Sequence, residues 1–276
     1  MSTSSHHILV KFGGNSLSGQ GDLERFAGEL AELIDRDYHP ILVHGGGPEI
    51  SREMEVRGMA VRKVAGLRVT DDAALAVAEE VLSRINAATV AVLRAKGINA
   101  MGVSAAQAGV VCRPKPPVIV IENGVEAKVD LGRVGDVVGV AGTWLDEVLD
   151  AGVVPVIYPI GADASGDRYN VNADTMAAFV AQAAGAETMV LLTDVPGILR
   201  GGEGSREVVH EVTFQGIDEL IAEGVITGGM IPKVEACRDA IRHRVAVVHM
   251  LNGRDPGSMV RKLIGQERIG TTVTQG

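Results

Sequence analysis

Aromatic side chains are scarce in this sequence, with Phe, Tyr and Trp forming 3% of 276 residues and a single Trp among them. A core with so few rings must be filled by Ala, Val, Leu and Ile, with 35 glycines letting elements approach closely. That profile suits an α/β enzyme with tight strand-to-helix turns better than a β-sandwich or a disordered chain. Cysteine is nearly absent: Cys112 and Cys237 have no metal-ligand spacing and no disulfide framework, which points to a reducing, cytoplasmic setting. No apolar run approaches the roughly 20 residues of a membrane helix. Lys11 breaks the first apolar stretch too early for a secretory signal. Basic excess is lacking too. A net charge of −9 excludes the footprint of a general nucleic-acid binder but permits a local basic pocket for an anionic small molecule.

What is present is an alternation of short β-branched runs with amphipathic helices. Residues 7–12 form a buried strand ending in Gly13 and Gly14. A helix follows with Leu23, Phe26, Ala27, Leu30, Leu33 and Ile34 on one face. The strand 40–43 closes on HGGGP at 44–48 and another helix. Thr70, with Asp71 and Asp72, is expected to cap a helix carrying Leu75, Ala78, Leu82 and Ile85. Residues 118–122 and 125–129 flank Asn123-Gly124 and predict a hairpin, a rim or lid beside a site. Parallel character resumes with strands at 153–158 and 188–192 around a helix at 173–184. Residues 200–206 are expected to form a polar, mobile loop. Helices at 217–222, 231–241 and 256–264 and a strand at 245–250 complete the chain. Such an order implies a mostly parallel sheet covered on both faces. A soft boundary near residue 185 would divide it into lobes 1–185 and 186–276.

Chemistry is expected at the glycine turns. Two of them, 11–15 and 44–48, follow strands and precede helices, where an open α/β sheet offers free N–H groups to an anion. A glycine pair alone most often marks only a tight turn, but a triple glycine carries a backbone entropy cost that asks for a reason. Three glycine-bearing motifs of known chemistry are absent. There is no GxxxxGK[ST], no GxGxxG opening a helix and no GxSxG elbow, which excludes a P-loop, a dinucleotide fingerprint and a lipase-like hydrolase. Phosphate binding without a P-loop remains. Lys11 stands inside an apolar strand, where an unpaired ammonium is costly unless it snorkels. Lys233 stands near a helix start, where the dipole disfavours a cation. Asp174 also lies near a helix start, where capping alone could account for it.

Taken in order, Lys11, Gly13 and Gly14, HGGGP at 44–48, GLRVTD at 66–71, NVNAD at 170–174, LLTDVPGIL at 191–199 and GGMIPKV at 228–234 resemble the amino acid kinase family along nearly the whole chain. The resemblance implies ATP-dependent phosphorylation of the side-chain carboxylate of N-acetyl-L-glutamate in arginine biosynthesis. It also implies a three-layer α-β-α sandwich with a mostly parallel central sheet, a first lobe for the acyl amino acid, a second for the nucleotide, and a homodimer. Lys11 and Lys233 are then catalytic, with Asp174 orienting both. The acyl amino acid falls to Gly46, Gly47, Asn170, Asn172 and Arg68, the last as a bidentate clamp on a carboxylate. Phosphate falls to Gly13, Gly14 and Gly45. Asp194, Val195, Gly197, Ile198, Leu199, Val225, Ile226 and Thr227 line the nucleotide site. Mg²⁺ is carried by ATP oxygens and water, without a dedicated protein cage. Neither a nucleic acid nor a membrane is implied as partner.

The match is weakest over residues 104–117, beside the expected rim, so the acyl group is less specified than the chemistry. A same-fold kinase for an acylated aminoadipate or a carrier-linked glutamate stays open, as does a non-catalytic amino-acid sensor. Relatives inhibited by arginine carry an extra N-terminal helix. With the first strand starting at residue 7 or 8, weak or absent arginine feedback is the expectation.

Overall fold

The computed structural model describes residues 6–13, 16–17, 21–122, 125–202 and 205–276. Gly14 and the Asn123-Gly124 turn lie outside the described residues. Eight helices run along the described chain: α1 (Asp22–Ile34), α2 (Gly47–Val56), α3 (Asp72–Ala95), α4 (Trp144–Asp150), α5 (Ala173–Ala183), α6 (Phe214–Ala222), α7 (Met230–Arg242) and α8 (Ser258–Leu263).

One eight-stranded sheet organises them. Its centre is β1 (His6–Phe12), which pairs in parallel with β2 (Tyr38–His44) on one side and with Thr188–Thr193 on the other. Val154–Tyr158 and then the edge strand Ala100–Ser104 continue beyond β2. On the other side follow Val247–Asn252, Thr271–Thr274 and Glu211–Thr213. All neighbours are parallel except Val247–Asn252 with Thr271–Thr274, whose antiparallel pairing turns the last two strands the other way.

Side-chain alternation along β1 explains the layers. Ile8, Val10 and Phe12 point to a core shared with Phe26, Leu30 and Leu33 of α1, Leu93 of α3 and Met259 of α8. Leu9 faces the opposite core, built with Ala177 and Val180 of α5 and Val234 and Cys237 of α7. Lys11, two residues after Leu9, therefore faces α5. The period-2 rule places an ammonium where an aliphatic side chain would otherwise stand.

Several local details differ from the sequence-based expectation. The helix N-cap falls on Asp71, whose carboxylate accepts from the Ala74 N–H at 2.7 Å, while Thr70 is buried with its hydroxyl on the Arg68 carbonyl. An Asp at the cap satisfies an orphan N–H as well as a Thr does and adds charge at the positive end of α3. The polar stretch after Leu199 is a small hairpin, with Leu199–Arg200 paired to Glu207–Val208. A closed four-stranded barrel of Val110–Pro114, Val134–Val140, Ile160–Ala162 and Arg168–Val171 occupies the middle of the chain. The expected hairpin is present as Val118–Glu122 against Val125–Val129, with Val118, Val120 and Val129 resting on Val64, Leu131 and Val134.

Candidate active site

Three adjacent parallel strands end side by side. β2 runs into Gly45–Gly47, β1 into Gly13, and Thr188–Thr193 into Asp194–Leu199. The β1 terminus is thus the middle of the row, and Lys11 is its penultimate residue.

Lys11 Nζ lies 2.5 Å from Asp174 Oδ1, with little of either side chain exposed. Asn172 explains why Asp174 is free to make that contact. Its Oδ1 caps α5, accepting from the N–H groups of Asp174 at 2.8 Å and Thr175 at 3.0 Å. The capping role anticipated for an Asp here thus belongs to Asn172. Burial works against ionisation of Asp174, yet the Lys11 and Lys233 charges and the Lys11 hydrogen bond prevail and hold its carboxyl below the usual range. Lys233, in the first turn of α7, acts on Asp174 through space and forms no ion pair with it. The trio is therefore a bonded pair with a second cation beside it, rather than a carboxylate bridging two lysines.

The first two glycine turns touch. Gly45 N–H donates to the Phe12 carbonyl at 2.9 Å. Gly13 has φ +147, and a Cβ there would stand 2.6 Å from Gly45 N, so only glycine fits. No acceptor among the described residues takes the N–H groups of Gly46 and Gly47, at the start of α2. Free amides at a helix N-terminus are suited to an anion.

A cleft of about 710 Å³ opens from these amides, walled by Gly45–Gly47, Arg68, Lys63, Asn170 and Asn172. Arg68 is 7% exposed. Its guanidinium donates to the Gly47 carbonyl at 2.9 Å, to Ser51 Oγ at 2.8 Å and to Met54 Sδ at 3.3 Å, and no carboxylate among the described residues pairs with it. Burial lowers its pKa, the mark of a cation held without a counter-ion. Lys63 stands opposite Arg68 in the hairpin register.

A second cleft, of about 1090 Å³, lies beyond the Thr188–Thr193 terminus. Val195, Gly197, Ile198, Leu199, Val225 and Thr227 line it, as does Arg206. Of the residues expected there, Asp194 is exposed in the preceding turn and lines no part of the cleft, and Ile226 is buried in the core. Thr193 Oγ1 donates to the Val195 carbonyl at 2.7 Å and shapes that turn. Thr271 Oγ1 accepts from Ile198 N–H at 2.8 Å, tying the cleft to the terminal strand.

Residues 7–252 match the amino acid kinase family. The chain belongs to that family. An acetylglutamate kinase of Methanocaldococcus jannaschii is 38% identical over 270 residues, covering 97% of this chain and 90% of the relative. One from Methanocorpusculum labreanum is 37% identical over 269 residues, with the same coverage. Among solved structures, the smu.665 protein of Streptococcus mutans has a TM-score of 0.77 at 26% identity, covering 99% of this chain and all of that one.

Within this amino acid kinase fold, Lys63 and Ser51 join the site without having been singled out by sequence. Lys63 could have been found from the short hairpin around Ala65-Gly66, where φ values of 49 and 80 make a turn and place 63 across from 68. Ser51 carried no signal of its own. Only the structure sets it one helical turn after Gly47, against Arg68.

Proposed function

We propose that this kinase transfers the γ-phosphoryl group of ATP to the side-chain carboxylate of N-acetyl-L-glutamate, giving an acyl phosphate in arginine biosynthesis. The observation that carries this reading is Arg68, a buried guanidinium without an acid partner on the wall of a cleft that ends at free glycine amides. The relatives named acetylglutamate kinase support it over nearly the full chain.

In this reading the first cleft takes the acyl amino acid. Arg68 clamps its α-carboxylate, Asn170 and Lys63 bound the same pocket, and the reactive carboxylate points at the Gly45–Gly47 turn. The second cleft takes adenine and ribose, with the phosphates laid across the β1 terminus between Lys11 and Lys233. The lobes are residues 1–185 for acceptor and 186–276 for nucleotide.

A carboxylate is already ionised at neutral pH and needs no general base. Its oxygen attacks the γ-phosphorus, a new P–O bond forms, and the bond to the bridging oxygen breaks with its electron pair leaving on ADP. Repulsion between two anions is the obstacle, so catalysis is positioning and charge stabilisation. Lys11 and the amides of Gly46 and Gly47 stabilise the transferring group, and Gly13 lets the turn approach. Asp174 fixes the Lys11 rotamer, and Lys233 meets the leaving phosphates. Two cations and unpaired amides around one strand end fit a polyphosphate. Mg²⁺ bound through ATP supplies further charge neutralisation. Among the described residues no three His, Cys, Asp or Glu side chains cluster to hold a metal themselves. The edge strand Ala100–Ser104 leaves one side unpaired and exposes Met101, a natural seam for a homodimer.

The test is turnover with ATP and a panel of N-acetyl-L-glutamate, N-acetyl-aminoadipate and unacylated glutamate, trapping the acyl phosphate with hydroxylamine. N-acetyl-L-glutamate should give the highest kcat/KM. Lys11→Ala and Lys233→Ala should each lose most turnover while still binding one substrate. Near-normal turnover in both variants, or a preference for another acceptor, refutes the reading.

A further inference from the structure

His44 closes β2 directly before the glycine triplet and is fully buried, yet it touches neither cleft. Rings of Phe12 and Tyr158 lie near it, and a buried histidine with aromatic neighbours can be simple packing. Its two nitrogens are both engaged, however, and the partners fix the direction of each bond. Asn86, on α3, places one side-chain atom 2.9 Å from the Val156 carbonyl and 3.1 Å from His44 Nε2. A carbonyl only accepts, so that atom must be the NH₂ of Asn86. Its second hydrogen then points at Nε2, which must be the unprotonated nitrogen. The proton is left on Nδ1, 3.0 Å from the Gly45 carbonyl.

That carbonyl belongs to the peptide whose other end is the Gly46 N–H. Carbonyl and N–H of a trans peptide point in opposite directions. Pulling the Gly45 oxygen back toward the imidazole turns the Gly46 N–H away from it, toward the cleft that Gly46 lines. Glycine at 45 leaves this peptide free to rotate, so an external tether is needed to keep it in one orientation. Gly102 completes the assembly, since a Cβ there would stand 1.9 Å from Asn86 Oδ1. Burial, opposed by the Gly45 bond and aided by the Lys11 charge, lowers the imidazole pKa to about 4.

We infer that His44 is a positioning residue: its Nδ1–H holds the Gly45–Gly46 peptide with the Gly46 N–H presented to the transferring phosphoryl group, and Asn86 sets the tautomer that makes this possible. The inference rests on the phosphoryl-transfer reading for what the amide does, but the tautomer and tether stand without it.

Two side chains separate tethering from packing. Asn overlays the Nδ1 donor of histidine and Gln overlays Nε2, so His44→Asn keeps the bond to Gly45 and His44→Gln loses it. Loss of an oriented oxyanion donor lowers kcat about 100-fold or more. His44→Gln should show a fall of that order with KM for both substrates within about threefold, and His44→Asn should recover most of it, the pattern of an interaction made in the transition state. Melting temperatures of both variants control for folding. Equal kcat in the two variants at matched stability overturns the inference. A second measurement needs neither a variant nor turnover. Long-range ¹H–¹⁵N correlation on the wild-type protein should show His44 neutral with Nδ1 protonated at pH 7, and an Nε2–H tautomer refutes the tether outright. If no acceptor is phosphorylated at all, the reaction reading fails on its own while this spectrum still decides the tautomer.

Discussion

The two buried cations of this site are held in opposite ways. Lys11 has a carboxylate partner at 2.5 Å. Arg68 has only a carbonyl, a hydroxyl and a thioether. An ion pair keeps an ammonium in place at nearly zero net charge, which suits the proposed role of staying oriented while phosphates arrive and leave. A guanidinium surrounded by neutral acceptors is oriented but uncompensated, and the missing charge is what a substrate carboxylate would bring in the proposed role. Under the proposed function, charge complementarity at Arg68 is completed by the ligand, and at Lys11 by the protein.

The comparison can be broken at four points. The largest effect belongs to Asp174→Ala. Removing one member of a buried pair strands the other, costing about 3–5 kcal/mol of stability by denaturant titration, together with turnover. A stable variant with normal kcat would show that the pair is ornamental. The same carboxylate governs acid sensitivity. Its pKa is lower folded than in the open chain, so its contribution is fully present above the ordinary value of 3.8 and fades as pH falls through the depressed one. Asp174→Asn should therefore flatten the acid limb of the stability curve below pH about 4, measured by melts across pH. Arg68→Met should behave in the contrary sense. KM for the acyl amino acid should rise about 10–100-fold, the weight of a charged hydrogen bond of roughly 1.5–3 kcal/mol, with KM for ATP unchanged. Stability should hold or increase, because an uncompensated buried charge has gone. A loss of stability like that of Asp174→Ala would erase the distinction. The smallest effect is expected from Asn172→Ala, about 1 kcal/mol from the lost cap, with a modest fall in kcat as Asp174 loosens.

How much of this could be read from residues alone varies with the physics involved. Five strands of the main sheet were legible because a fully buried parallel strand reads as an apolar run, as 40–43 and 188–192 do. The strands Ala100–Ser104, Glu211–Thr213 and Thr271–Thr274 were not foreseen. Nor was the four-stranded barrel. Its strands are short, contain glycines such as Gly135, Gly139 and Gly161, and depend on pairings such as Ala162 with Val111, far apart in the chain. Lys11 stood out because an ionisable group in an apolar strand asks for an explanation, and Asp174 only through the family resemblance, and nothing local says that they meet. The capping rule named the right turn but pointed to Asp174, where Asn172 makes the bonds. His44 and Asn86 are ordinary residues in ordinary elements. Only three dimensions place an amide, an imidazole and a peptide carbonyl in line. Ile226, buried in the core between two cleft-lining neighbours, shows that adjacency in sequence says nothing about which side chain points inward.

The central position of β1 has a consequence for how the enzyme comes into being. The first strand made is flanked on one side by Thr188–Thr193, and His7 is bonded to the Ala184 carbonyl, 177 positions away. During synthesis at about 5–20 residues per second, β1 can pair early with β2 but keeps an open flank until well over half the chain has emerged. Lys11 likewise waits for Asp174. The ammonium proposed to handle phosphate is therefore unharnessed for most of translation, and a nascent chain interrupted before that point carries Lys11 without the carboxylate that orients it.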